Sequence, residues 1–365
     1  MTEILSATPV PPQGGQLPTA AAPQVIIVPP PPRRAGLIIV TILLVLSVLM
    51  NFLMMIFVAI TSLAVMGGAG SAGPGKLRET VITPSAAGDK IAVIRIEGLI
   101  TEQGVGGLFA DRGTDVEFVK KQVDQALDDP HVKAIVLKVN SPGGGAAASD
   151  MMYHELTRLQ DRKIPVVVHM GAVAASGGYY VAMAGQHIVA QRTCITGSIG
   201  VIGQLLTMRE MLEEKVGVKV HTITSGPMKG VGSPFSDLTP EHEQYLKDTL
   251  IMPMYRQFLA VVKEGRPNLS DDRLAVLADG RAYSAQQALE DGLIDQIGFF
   301  DDAVMEAMKR AKLTAAKVVQ YKRESGLFEL LSASSQARSD TILNVTPDVL
   351  NAWSTPQVMM LWRGQ

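Results

Sequence analysis

From Leu37 to Met66 the chain runs for 30 residues without one charged side chain, and it includes the unbroken apolar block Phe52-Leu53-Met54-Met55-Ile56-Phe57. About 20 such residues cross a bilayer, so this stretch has length to spare for tilt. A cleavable secretory leader carries a shorter apolar stretch, about 7–15 residues, close behind the amino terminus. Here more than 30 residues come first, so we expect an uncleaved single-pass anchor over 37–66. A buried helix of a soluble core would carry a polar face along such a length, and none is visible. Arg33 and Arg34 stand directly before the run, whereas Lys76 and Arg78 follow a Gly-rich spacer. The nearer positive pair favours a cytoplasmic amino terminus, with the rest of the chain in the cell membrane or beyond it.

The anchor divides the sequence. Residues 1–36 form a Pro-rich tail containing Pro29-Pro30-Pro31-Pro32, a composition that buries no core and favours disorder with polyproline character. Residues 67–88 read as a linker and 89–324 as the functional domain. Residues 325–365 mix a Ser-rich spacer with apolar clusters such as Val358-Met359-Met360-Leu361-Trp362; partial order is expected there and no function is assigned. With 33 basic against 35 acidic residues the net charge is −2, which argues against a nucleic-acid footprint. The single cysteine, Cys194, excludes an internal disulfide and reads as a small buried side chain.

The chemistry concentrates in Gly-rich segments. Ser176 sits in Ala174-Ala175-Ser176-Gly177-Gly178-Tyr179-Tyr180, and Lys229 follows 53 residues later in Ser225-Gly226-Pro227-Met228-Lys229-Gly230. A serine hydroxyl is a weak nucleophile until a base takes its proton, and a lysine amine held neutral can be that base. Alone, a Ser before Gly-Gly is an ordinary turn residue, and a Lys in a Gly/Pro loop an ordinary solvated charge. Their company distinguishes them: Asn140-Ser141-Pro142-Gly143-Gly144-Gly145 lies upstream of the serine and Thr196-Gly197-Ser198-Ile199-Gly200 downstream.

Together with Gly280-Arg281-Ala282-Tyr283-Ser284 and Gly292-Leu293-Ile294-Asp295, these segments resemble the signal peptide peptidases of the protease IV type, membrane-anchored Ser-Lys proteases. The resemblance covers roughly residues 90–298. It implies Ser176 as nucleophile, Lys229 as general base and Ser198 as the hydroxyl that holds the lysine amine. It also implies an α/β fold similar to the crotonases and the Clp protease, built from repeated ββα units in a single-domain form, and a ring-like homo-oligomer. One departure is visible: Gly230 stands where the family often has an acidic residue after the lysine.

Short β-branched runs at Ile91–Ile96, Ala134–Val139 and Pro165–Val168 read as strands of a largely parallel sheet. Between the first two lie Val116, Phe118, Val119, Val123, Ala126 and Leu127 at helical spacing, with Thr114 as the expected cap, and a second helix carries Met151, Met152, Leu156 and Leu159. Gly143, Gly144 and Ser176 then follow strands, at the carboxyl edge where α/β sheets place ligands. Backbone N–H groups of Gly144 or Gly143, with Gly177, can form an oxyanion hole. Thr239–Lys263 reads as one or two helices broken by Pro253, a candidate subunit interface.

Rival chemistries are weaker. The Gly-rich turns lack the Gly-Lys-Ser/Thr ending of a phosphate loop. None of His131, His154, His169, His187, His221 or His242 lies in a Gly-rich context, and His169 and His187 read as strand-end residues, which argues against a Ser-His-Asp triad. No metal-binding spacing appears, so neither metal nor cofactor is expected. The expectation is a serine endopeptidase acting on hydrophobic peptides, chiefly signal-peptide remnants. A related protease cutting one specific membrane protein and a crotonase-like acyl-CoA enzyme are the alternatives. Because an ordinary lysine with a pKa of about 10.4 is almost wholly protonated at pH 7, Lys229 is expected in a desolvated pocket.

Overall fold

The computed structural model describes residues 33–67, 76–103, 113–323 and 357–362. The Pro-rich tail before residue 33 and the 325–356 part of the carboxyl-terminal tail lie outside the described residues. The chain divides into two units, Met1–Ser71 and Ala72–Gln365.

The first unit contains helix α1 (Arg33–Gly67). Within it Ile38–Ile56 is 19 residues long with a mean hydropathy of 2.7, and none of that stretch is buried against protein. This helix is long and apolar enough to cross a membrane.

The second unit is a mixed α/β structure. In chain order it carries β1 (Arg78–Thr83), β2 (Lys90–Glu97), β3 (Leu99–Thr101), β4 (Gly113–Asp115), α2 (Val116–Asp128), β5 (Val132–Ser141), β6 (Gly143–Gly145) and α3 (Ala146–Asp161). There follow β7 (Val166–Ala175), α4 (Gly177–Ala182), β8 (His187–Ala190), β9 (Ile195–Gly197) and β10 (Ile202–Gln204). The remainder comprises α5 (Pro240–Leu246), α6 (Met252–Gly265), α7 (Asp271–Leu277), β11 (Ala282–Ser284), α8 (Ala285–Glu290), β12 (Gln296–Ile297), α9 (Phe300–Arg310), β13 (Lys317–Lys322) and β14 (Gln357–Leu361).

The larger sheet runs β1-β13-β2-β5-β7-β8-β12. From β13 to β12 every neighbouring pair is parallel, and β1 caps one edge antiparallel to β13. Parallel strands covered on both faces need apolar side chains on both, and these strands have them. Ala92, Ile94 and Ile96 of β2, with Ile135, Leu137 and Val139 of β5, enter the main core beneath α2 and α3. The alternating residues Ile91, Val93, Ala134 and Val136 pack on the opposite face against Ala303 and Ala307 of α9.

All three strands expected from the β-branched runs are present, and the parallel sheet with them. Four details differ. The helix cap is Asp115, whose carboxylate accepts from Phe118 N at 2.8 Å, because the Thr114 hydroxyl is taken by the Glu97 backbone. Met151 is exposed while Met152, Leu156 and Leu159 are buried, as a helix with one face on the core requires. The 67–88 stretch contains β1, because the edge of β13 offers backbone partners that a linker there can satisfy. His169 lies inside β7, not at a strand end, since β7 continues to Ala175. The Thr239–Lys263 reading holds in outline: α5 and α6 are joined by a π-helical turn, Lys247–Ile251, immediately before Pro253.

Candidate active site

Strand β7 changes partner along its length. Val167–Met170 pair with β8, and Val173–Ala175 pair in parallel with β9. Ala175 is opposite Gly197 in that register, so the next residues, Ser176 and Ser198, leave the sheet side by side. Ser176 N donates to Gly197 O at 2.7 Å, and Thr196 Oγ1 donates to Ala174 O at 2.7 Å. The serines are thus held together by strand pairing, independently of their own side chains.

Ser176 turns the chain from β7 into α4 with φ 52° and ψ −117°. A positive φ on a residue with a side chain is strained, and the same strand-serine-helix turn lifts a nucleophile out of a sheet in unrelated hydrolases. The turn is held from below. Tyr180 N donates to Ser176 O at 2.9 Å, Tyr180 OH to Asp150 Oδ1 at 2.5 Å, and Tyr179 OH to Leu293 O at 2.8 Å. Leu293 belongs to the Gly292–Asp295 segment, so that motif braces α4 through the Tyr179 hydroxyl. Ser176 itself is 2 % exposed.

The glycines upstream form β6, the central strand of a smaller sheet ordered β10-β14-β6-β3-β4. Gly143 has φ 100°, and a Cβ there would collide with the Met360 carbonyl oxygen. Its N–H donates to Ser141 Oγ at 3.0 Å, while that hydroxyl donates to Gly98 O at 2.6 Å. The Gly143 amide is therefore engaged inside the turn, and a Cβ on Gly143 would also lie 2.7 Å from Gly177 N, so this glycine turn packs directly against the start of α4.

Ser198 is 7 % exposed and holds φ 49°. Its N–H donates to Arg281 O at 2.9 Å, and β11 pairs with β9. This accounts for the Gly280–Ser284 segment: it fixes the Ser198 turn from its other side. A cavity of about 720 Å³ opens next to Ser198, lined also by Ile202, Arg281, Tyr283, Leu361 and Trp362.

Lys229 stands apart from the other candidates. It lies in a short 3₁₀ turn, Pro227–Gly230, with its side chain exposed, and no hydrogen bond among the described residues joins it to Ser176 or Ser198. Among the described residues, none encloses Lys229 in the expected desolvated pocket. The cause is local: between Ile202 and Ile251 only Pro234 is buried, so this segment has almost no core of its own to pull Lys229 inward. It also exposes apolar side chains, with Ile223 97 %, Val216 60 % and Leu206 52 % accessible.

The remaining nucleophile and base candidates are not joined to Ser176. Cys194 is 1 % exposed, and burial pushes its thiol up to about 12, which makes it inert. His187 contacts Asp295 and Gln296, and among the described residues no histidine hydrogen-bonds Ser176. Sequence reasoning missed β14. Five apolar residues at Val358–Trp362 carried the signal, but nothing local identified their partner.

The family model for peptidase family S49 matches residues 158–314, which bracket Ser176, Ser198 and Lys229. A protein of Enterococcus faecium named as a signal peptide peptidase SppA is 35 % identical over 253 residues, covering 69 % of this chain and 73 % of its own length. Protease 4 of Salmonella typhi is 34 % identical over 257 residues, covering 69 % of this chain but 40 % of its own. The chloroplastic serine protease SPPA of Arabidopsis thaliana is 34 % identical over 234 residues, covering 63 % of this chain and 34 % of its own. With a buried serine at the strand-to-helix turn of its sheet and these matches across it, the chain belongs to peptidase family S49 and is a serine peptidase.

Proposed function

We propose that this serine peptidase is an endopeptidase anchored in the cell membrane by α1, with its catalytic unit outside the cytoplasm, and that it cuts hydrophobic peptides such as signal-peptide remnants through a dyad of Ser176 and Lys229. The observation that carries the reading is the strained turn at Ser176, seated beside Ser198 by the β7-β9 register. In this mechanism Ser176 Oγ attacks the scissile carbonyl carbon while Lys229 Nζ takes its proton. The tetrahedral oxyanion is held by the Gly144 and Gly177 amides, with Gly143 shaping the turn that presents Gly144. Lys229 then returns the proton to the leaving amine, the carbon–nitrogen bond breaks, and an acyl-serine remains. A water, deprotonated by the same amine, hydrolyses that ester and restores Ser176. Ser198 Oγ orients the lysine throughout.

The exposed position of Lys229 makes assembly part of the proposal. Copies of the chain cover the apolar Ile202–Ile251 segment, and its Lys229 then enters the cavity beside Ser198, where exclusion of water favours the neutral amine. The crotonase-like repeat of strand pairs and helices belongs to the same reading. An acyl-CoA enzyme is disfavoured by membership of a peptidase family, whereas a dedicated membrane-protein substrate would use the same machinery. Comparison of peptides released from membranes carrying active and Ser176→Ala protein separates the two: many short apolar fragments support the broad substrate class, and one protein-derived fragment supports the dedicated one.

A further inference from the structure

The larger sheet carries a row of cations across its width. Arg78 of β1 is directly opposite Lys322 of β13, Arg95 of β2 is opposite Lys138 of β5, and Lys138 is opposite His169 of β7. The β13-β2 register, with Gln320 opposite Val93, continues two residues on to set Lys322 beside Arg95. Residues opposite one another point to the same face of a sheet, so basic side chains from neighbouring strands form one line. Their face is the one that α9 covers: Val93, Val136, Val167 and Val318, further back on the same strands, pack with Ala303 and Ala307.

Helix α9 reaches only the β7 end of the line. Its Phe300 ring lies edge-on to His169 with 5.8 Å between centroids, and its centroid is 6.0 Å from Lys138 Nζ. The other end is open, with Arg78 and Lys322 exposed. Like charges directly opposite in a sheet are destabilising, and little on the chain offsets them here. Glu97 is committed to Arg95, whose Nη2 donates to its two oxygens at 2.6 and 2.7 Å. Asp302 caps α9 by accepting from Phe299 N at 2.7 Å. Among the described residues Arg78, Lys138 and Lys322 have no ion-pair partner.

We propose that this row is a docking face for the bilayer itself: it binds anionic phospholipid headgroups and holds the catalytic unit against the membrane that α1 crosses. Phosphodiesters beside the opposed cations supply the negative charge that the chain does not. Two further observations point to a membrane surface and not to a soluble anion. Only residues 68–75 separate α1 from Lys76, and a tether of that length spans at most about 30 Å, so β1 stays near the point where the anchor ends. The same edge strand exposes Val81 and Ile82, apolar side chains of the kind that enter the headgroup boundary. The inference rests on α1 being the membrane anchor proposed above, and adds which lipids the catalytic unit recognises. Each Lys or Arg near an anionic surface strengthens attachment about fivefold, and salt screens the attraction.

The test uses the full chain with a site-specific protease sequence in place of residues 68–75. It is reconstituted in vesicles of phosphatidylcholine alone, or of phosphatidylcholine mixed three to one with phosphatidylglycerol, then cut and sedimented. The catalytic unit should stay on the mixed vesicles, leave the phosphatidylcholine vesicles, and come off the mixed ones in about 1 M NaCl, where the screening length is about 3 Å. Lys322→Glu turns a repulsive cross-strand pair into an attractive one, so it should fold, yet it should weaken retention on mixed vesicles about tenfold or more. Lys133→Glu, the same charge change at the amino end of β5, should leave retention unaltered. Equal retention on both vesicles, retention that salt leaves unchanged, or the same retention in the two variants overturns the inference. If α1 does not anchor the uncut chain in phosphatidylcholine vesicles, the anchor reading fails separately. Salt-sensitive binding of the uncut chain to mixed vesicles alone then supports the docking face, and equal binding to both overturns it.

Discussion

Ser176 and Ser198 leave adjacent parallel strands at the same register, and both hold positive φ, 52° and 49°. Strain of this kind costs on the order of 1–3 kcal/mol per residue and persists only where the surroundings over-determine it. Here the Gly197 carbonyl, the β9-β11 pairing and the braced tyrosines of α4 supply that determination. The backbone alone thereby sets the two serines side by side, with Ser198 lining the cavity.

The strain predicts a separation of stability from activity. Ser176→Ala and Ser176→Gly should both abolish peptide cleavage, but the glycine variant should be the more stable by about 1 kcal/mol, because glycine adopts positive φ without steric penalty. Urea unfolding of the two variants checks this. An alanine variant equal to or more stable than the glycine variant would show that the turn is unstrained.

Assembly predicts complementation. Ser176→Ala and Lys229→Ala chains should each be inactive, since one lacks the nucleophile and the other the base. If Lys229 reaches a neighbour's Ser176, mixing the two in detergent should restore part of the activity. Mixtures that stay inactive while the wild-type chain sediments as an oligomer would confine each dyad to one chain. Lys229→Arg should behave as Lys229→Ala, because a guanidinium remains protonated and accepts nothing.

The core predicts an acid-side weakness. His169 is 5 % exposed and neither ring nitrogen has a hydrogen-bond partner among the described residues. Burial, reinforced by Lys138 and opposed by Asp302, lowers its pKa to about 4. The unfolded imidazole titrates near 6.5. Between those values the unfolded state binds more protons, so stability is full above about pH 6.5 and falls as pH drops towards 4, by on the order of 2–3 kcal/mol. His169→Leu should flatten this decline. Melting temperatures of both proteins at pH 7 and pH 4.5 give the comparison; parallel declines would assign the acid sensitivity to other groups.

Topology predicts which side is digestible. With Arg33 and Arg34 retained in the cytoplasm, protease added to intact spheroplasts should cut beyond Lys76 and spare the Pro-rich tail. Digestion of the tail with protection of the catalytic unit would reverse the orientation.

Much of this was legible in the sequence because local signals agreed with the global fold. The β-branched runs became β2, β5 and β7 since strands buried on both faces need apolar residues at every position. Ser176 and Gly143 announced themselves through glycines that only tight turns require. The partner of β14 was not legible, since pairing between residue 360 and residue 144 is set by register across the whole chain and leaves no local trace. Nor was the exposure of Lys229, which depends on packing around the Ile202–Ile251 segment and not on the residues flanking it. Thr114 was misread as a cap because Asp115, next to it, offers the same chemistry, and the Glu97 backbone decided between them.

In the proposed mechanism Ser176 is the nucleophile and Lys229 its base. Intact-mass and peptide-level spectrometry after treatment with a fluorophosphonate tests it directly. One adduct per chain is expected, located on Ser176, absent in Ser176→Ala and strongly slowed in Lys229→Ala and Lys229→Arg. An adduct on any other residue, or labelling of Ser176 at the wild-type rate when Lys229 is replaced, would contradict it.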